Sequence, residues 1–310
     1  MLLHSGQMTP VIRAFPALAF VLLCLSWGST FLALKVGLQV LPPLLLMGLR
    51  FVLAGGVLLF WLWSKKQLRI LKAWRQILPL ACMMVVGSYG LMAWGARFIS
   101  SGMAAVVSTV PISLGTLLFG VLLKQENPSF RKGLGVGLGC VGLLLLFSPA
   151  GLPAQQQGAA FLMCLGSLGY AWGSVQGRKV VQQFSVLEVS ALQMLLGGLL
   201  LLVLSCVVES WQQVRWEALM HPDVAGSLLY LVSVGSLMGF VLHQLLLQVW
   251  AASRVASYTF ITPLIAVLLG NLLAGETLNA GQILAGALMV LGARVSLQPD
   301  PAQKTVHQQT

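Results

Sequence analysis

Acidic residues are nearly missing from this chain: seven of its 310 residues are Asp or Glu, and all charged residues together make up 8%. A soluble domain carries about 25% charged residues, so this sequence cannot furnish a water-solvated surface. No Cys-x-x-Cys pair occurs, and the five cysteines (Cys24, Cys82, Cys140, Cys164, Cys206) all fall inside apolar runs. Neither a disulfide framework nor a zinc site is expected from that pattern. His4, His221, His243 and His307 are scattered, and no His-Glu-x-x-His, paired membrane aspartates or Gly-x-Ser-x-Gly element is present. The expectation is therefore a protein that is not an enzyme and needs no metal or other cofactor. The longest stretch between apolar runs, roughly 209–224, is too short for a soluble interaction domain, which argues against a scaffold or receptor.

What the chain does hold is apolar sequence in long blocks. Hydrophobic residues make up 58%, and mean hydropathy is +0.90. A helix crosses the hydrocarbon core with about 20 mainly apolar residues. By that measure ten spans are predicted, at 14–34, 44–63, 76–96, 103–123, 133–149, 158–177, 189–208, 225–249, 255–273 and 281–297. The first apolar run, from Ala14, is long and lacks a small-residue cleavage site, so it reads as a span rather than a cleavable signal. Residues 298–310 read as a disordered tail.

The net charge of +11 would suit nucleic acid or anionic lipid. Its placement decides for the lipid bilayer, because the basic residues sit in short loops between apolar runs. With the N-terminus in the cytoplasm, fourteen of the eighteen basic residues fall on the cytoplasmic side, and Lys35, Arg97 and Arg215 fall outside. Excess Lys and Arg on one side marks that side as cytoplasmic. Both termini are therefore expected in the cytoplasm, with the chain in a bacterial inner membrane as a monomer or homodimer.

The chain also repeats itself. Trp27-Gly28-Ser29 returns as Trp172-Gly173-Ser174, 145 residues later. Ser101, Ala104 and Pro111 return 152 residues later as Ser253, Ala256 and Pro263, and Glu126 returns after 150 as Glu276. Two units follow, 14–149 and 158–297, each with five predicted spans. Five is odd, so the second unit must enter the membrane upside down relative to the first. Inverted repeats place a binding site near the midplane between the units, and rocking one against the other opens it to either side in turn. An all-α membrane transporter is the expected class.

The residues also resemble a known family. Trp27-Gly28-Ser29-Thr30, Pro42-Pro43 and Gly48-Leu49-Arg50-Phe51 look like the opening of an EamA domain of the drug/metabolite transporter superfamily. Ser101-Gly102-Met103-Ala104-Ala105-Val106 with Thr109-Val110-Pro111 resembles its third-to-fourth helix segment. The second copy repeats the pattern through Trp172-Gly173-Ser174, Ala256-Ser257-Tyr258, Pro263-Leu264 and Gly275-Glu276-Thr277-Leu278. In one departure, Lys124-Gln125-Glu126-Asn127 lacks the Gly-Glu pair usual at the end of that repeat. The resemblance implies a ten-helix carrier of small metabolites, often exporting amino acids or related compounds. Carriage of lipophilic drugs or sugar derivatives is the alternative.

Candidate residues follow from cost and position. Arg50 lies about six residues into the second predicted span, where an ionisable group is expensive and faces a cavity or a partner. It either fixes helix packing or presents a cation to a substrate carboxylate. His243 is the only histidine inside a predicted span, and it can hydrogen-bond substrate or exchange a proton near neutral pH. Pro111 and Pro263 each leave a carbonyl four residues earlier unpaired, on Val107 and Thr259, which marks them as hinge or gating positions. The cavity is expected among the first, third, fourth, sixth, eighth and ninth spans. Its predicted wall is Trp27, Tyr89, Trp172, His243 and Tyr258, with Arg50 nearby. No Asp or Glu lies deep in any span, which disfavours cation–proton antiport through a membrane carboxylate.

Overall fold

The computed structural model describes residues 16–67, 70, 73–95, 97–99, 101–147, 154–214, 216–274 and 280–298. Glu276 lies outside them, as do Arg13, Arg69, Lys72, Arg215, Lys304 and the tail from 299 onward. Among the described residues there are helices and no strands. Each predicted span falls on a helix: α1 Pro16–Leu38, α2 Pro43–Ser64, α3 Trp74–Gly95, α4 Ser101–Leu122 and α5 Phe130–Phe147. Then come α6 Ala154–Gln183, α7 Val186–Val208, α8 Pro222–Val249, α9 Tyr258–Ala274 and α10 Ala280–Leu297. A single turn, Ala252–Val255, precedes α9.

Among the described residues, seven stretches are long and apolar enough to cross a membrane: α1, α2, α3, α6, α7, α8 and Ala252–Leu269. Val106–Leu122 and Gly281–Leu297 are shorter apolar helices. Helix α6 outruns its predicted range at both ends, because Arg178 and Lys179 continue the helix rather than stop it.

The start of α2 is closed by a residue from the other half of the chain. Pro43 begins α2, where a missing N–H costs nothing. The next two amides, of Leu44 and Leu45, donate to the Glu209 carboxylate at 2.9 and 3.0 Å. That acid beyond the end of α7 satisfies donors that the helix start would otherwise leave unpaired.

Glycine permits close packing between α2 and α7 and between α5 and α10. A Cβ on Gly55 would stand 2.5 Å from the Leu195 nitrogen, and one on Gly198 would stand 2.6 Å from the Val52 nitrogen. A Cβ on Gly142 would come within 2.7 Å of the Ala285 carbonyl oxygen. Small residues let membrane helices approach backbone to backbone. Not every glycine of these helices packs closely: Gly56, Gly133 and Gly137 face open space, while Gly135 and Gly139 face a neighbour. Helical period explains the split, since 135, 139 and 142 share one face of α5 and 133 and 137 share another.

The largest buried core gathers Phe20, Leu23 and Trp27 of α1 with Tyr170 of α6, Leu246 of α8, and Trp250 and Tyr258 around the start of α9. This core joins the two halves of the sequence.

Candidate functional site

Two segments depart from α-helical geometry in matching places. Ala81–Gly90 of α3 and Leu231–Met238 of α8 are wound as π-helix. Such turns bond i to i+5 and occur often at functional sites. In α8 the π segment is a docking strip for α1 and α2. Ser26 Oγ donates to the Val234 carbonyl at 2.5 Å, and Trp27 Nε1 donates to the Gly235 carbonyl at 3.0 Å. Arg50 Nε donates to Ser236 Oγ at 2.8 Å.

Glycine makes this approach possible. A Cβ on Gly235 would stand 2.6 Å from Arg50 Nη2, and one on Gly239 would collide with the Trp27 indole. Arg50 is buried, and no carboxylate pairs with it among the described residues. Its guanidinium lies 5.1 Å from the Phe51 ring centroid and 5.6 Å from that of Tyr89, so two aromatic faces stand where a counter-ion would be.

From Arg50 the aromatic rings run continuously into the centre of the molecule. Tyr89 stands 6.1 Å from Tyr170, and Tyr170 stands 5.5 Å from His243. His243 in turn lies 5.4 Å from Trp27 and 5.9 Å from Tyr258, and those two rings meet edge to face at 4.7 Å. Trp27, Tyr170, His243 and Tyr258 are buried, while Tyr89 keeps some accessible surface. No hydrogen-bond partner meets His243 Nδ1 or the neighbouring Gln244 Oε1, while the Tyr170 hydroxyl interacts with those of Tyr89 and Tyr258. Buried polar atoms normally find partners. His243 Nδ1, inside the aromatic cluster, can therefore meet a polar group of a bound molecule.

Of the six predicted cavity residues, Trp27, Arg50, Tyr89, His243 and Tyr258 belong to this connected set. Trp172 does not. It is partly buried and makes no ring contact with the cluster. Two residues along a helix are about 200° apart in rotation, so the face of α6 that brings Tyr170 inward turns Trp172 elsewhere.

The paired prolines lie inside α4 and α9. Val107, whose carbonyl Pro111 frees, accepts a weak hydrogen bond from Cys164 Sγ at 3.6 Å. Near Pro263 the two halves meet through Ser113 Oγ and Thr259 Oγ1 at 2.5 Å. Thr259 spends its own hydroxyl proton on the Ala256 carbonyl, so Ser113 is the donor in that pair.

The predicted wall omits Tyr170, an inner aromatic residue of the sixth span, and two further contributors were not singled out from sequence. Tyr170 had a readable signal, because Gly166, Tyr170, Gly173 and Gly177 share one face and small residues mark the side that packs. Ser236 had none, being one serine in an apolar run. The buried pair in which Gln244 Nε2 donates to Gln193 Oε1 at 2.8 Å joins residues 51 apart, and only the fold brings them together.

Comparison with known proteins fits this geometry. The EamA-like transporter family model matches residues 14–148 and 157–298. The chain belongs to the EamA-like transporter family and is a membrane transporter. It is 31% identical over 291 residues to the "uncharacterized inner membrane transporter YedA" of Escherichia coli strain K12, covering 92% of this chain and 89% of that one. It is 27% identical over 284 residues to the "probable amino-acid metabolite efflux pump" of Salmonella typhimurium, covering 87% and 90%. A crystal structure of a protein at 17% identity superposes with a TM-score of 0.75, covering 91% of this chain and 96% of that one. It shares the fold.

Proposed function

We propose that the chain exports a small polar metabolite, an amino acid or a close relative, across the bacterial cytoplasmic membrane by alternating access. The observation that carries the proposal is the closed aromatic cluster around His243, with unpaired His243 Nδ1 inside it and the buried Arg50 cation at its edge. An unpaired ring nitrogen can take a polar group of an amino acid, rings can pack its side chain, and a guanidinium can hold its carboxylate. Similarity to a relative named as an amino-acid metabolite efflux pump supports the direction and the substrate class.

The architecture proposed with it is ten spans in two inverted five-helix units, 14–149 and 158–297, with both termini in the cytoplasm. Matching π segments in α3 and α8 and matching prolines in α4 and α9 support the duplication. The inverted order supplies two equivalent conformations, one open to each side. Reporter fusions active only in the cytoplasm should work at Lys66 and at the C-terminus and fail at Glu217. A C-terminus outside the cytoplasm would end the inverted-repeat proposal.

Function itself is tested with inverted membrane vesicles and a panel of radiolabelled amino acids. Uptake of at least one of them above the level of vesicles lacking the protein, and competition by its analogues, is the expected result. Transport restricted to lipophilic drugs or sugar derivatives would replace the proposal with that alternative.

A further inference from the structure

We propose that a groove between α1, α9 and α10 binds one anionic phospholipid, its acyl chain lying in the groove and its phosphate on the Arg254 guanidinium. The groove has a volume of about 410 Å3, within the range of about 300–1,000 Å3 usual for ligand sites. Phe20, Cys24, Trp250, Ile261 and Ile265 form its floor and walls, and among the described residues Arg254 is the only charged one lining it. Val21 and Leu25 on its open side are 52% and 49% exposed, so the groove faces the bilayer rather than the central cluster. Ala17, at the start of α1, and Leu297, at the end of α10, bound its mouth. From Ala17 to Leu25 the helix rises about 12 Å at 1.5 Å per residue. The groove therefore runs inward from one end of the bundle.

Arg254 is built into that mouth. Its guanidinium carbon lies 4.2 Å from the Trp250 ring centroid, and Trp250 itself packs against Phe20 at 5.7 Å. Arg254 Nε is buried without a hydrogen-bond acceptor, and no carboxylate pairs with the residue among the described ones. Stacking on an indole fixes the plane of the guanidinium, and its fork of donors matches two oxygens of a phosphate. A cation at the interface end of an apolar groove is complementary to a molecule with an anionic head and a hydrocarbon tail. Basic pockets between membrane helices take anionic headgroups in this way. Inorganic phosphate would leave the apolar walls uncovered, and a zwitterionic lipid would bring its own cation against Arg254. A lipid here requires only that the chain spans a membrane, whatever the central cluster carries.

The test is native mass spectrometry of the full chain released from vesicles of equal phosphatidylglycerol and phosphatidylethanolamine. The wild type should retain one phosphatidylglycerol with about a fivefold preference, the worth of one cation next to an anionic headgroup. Arg254→Gln should lose the preference and keep its phosphatidylethanolamine. Leu25→Trp, which fills the groove from an exposed position and leaves Arg254 intact, should reduce retention of both lipids. Equal phosphatidylglycerol retention by wild type and Arg254→Gln would overturn the assignment. Should Arg254→Gln not fold, unchanged retention by Leu25→Trp overturns it just as well. Displacement of the lipid by inorganic phosphate alone would make this a phosphate site and not a lipid site.

Discussion

Glu126 holds the backbone of Ser253, although 127 residues separate them. Its Oε1 accepts the Ser253 amide at 3.0 Å, and its Oε2 accepts both the Ser253 hydroxyl and the Lys132 ammonium, the latter at 3.0 Å. The acid sits in the loop between α4 and α5, and Ser253 sits in the turn that opens the segment leading into α9. One buried carboxylate thus caps that turn and ties the first half of the chain to the second.

Replacing Glu126 by Ala should cost about 1–3 kcal/mol, the penalty for leaving buried donors unpaired. Glu126→Gln should cost less, because its amide oxygen can still accept from the Ser253 amide while the Lys132 pair is lost. Thermal unfolding in detergent measures both. Equal stability of wild type and the Ala variant would show that water replaces the carboxylate without loss.

Gly235 and Arg50 should behave as one unit. A methyl group at 235 would stand 2.6 Å from Arg50 Nη2, so Gly235→Ala must push the guanidinium off Ser236. Overpacking of this kind costs about 1–3 kcal/mol. Arg50→Met removes the head group that the methyl would strike first, so Gly235→Ala should cost less in that background, the remainder coming from Thr30 Cγ2 at 2.8 Å. A double-mutant cycle reads the difference as coupling between neighbours. Additive effects would mean that Arg50 already has room to move.

Arg50 also separates two roles. If it holds a substrate carboxylate, Arg50→Met should raise KM for an amino acid by about tenfold or more, the worth of a hydrogen bond to a charged group. KM for the corresponding amide, which lacks that charge, should change far less. Equal loss for acid and amide at normal membrane abundance would leave Arg50 as the residue that pins α2 to α8.

How much of this was legible depends on the range of the signal. Helix positions were legible because about 20 apolar residues in a row have no other stable home in a bilayer. The proposed duplication rests on the recurrence of Trp27-Gly28-Ser29 and Pro111 at nearly constant spacing. Arg50 and His243 stood out because polar groups are costly in hydrocarbon. The π segments were not legible: Ala81–Gly90 reads as ordinary apolar helix, and its winding answers to neighbours such as Gln193, which donates to the Leu80 carbonyl at 3.4 Å. The predicted wall includes Trp172, which repeats Trp27, and omits Tyr170, yet a repeated residue type need not face the same way. Helix period was the better guide at that position.

Pro111 should matter for motion more than for stability. Pro111→Ala returns an N–H to the Val107 carbonyl and makes the bond from Cys164 redundant. The helix should stiffen, leaving thermal stability equal or higher while slowing transport several-fold. Cys164→Ala alone should change little, since a thiol is a weak donor. Full-rate transport by Pro111→Ala would remove Pro111, and by its matched position Pro263, from the gating proposal.

His243 is where recognition and proton coupling part. Its ring touches Trp27, Tyr170 and Tyr258, and its Nδ1 has no partner. Gln reproduces a hydrogen-bonding group at similar reach but cannot titrate, whereas Leu does neither. If His243 recognises substrate by hydrogen bonding, His243→Gln should keep most transport. His243→Leu should then lose about tenfold, roughly the worth of one well-placed hydrogen bond left unmade in a buried site. If it moves protons, both variants should lose accumulation driven by a pH gradient while substrate exchange persists. The two outcomes separate in one vesicle assay run with and without the gradient. Normal transport by the Leu variant, at normal abundance, would reduce His243 to a packing residue and shift the recognition site toward Tyr170 and Arg50.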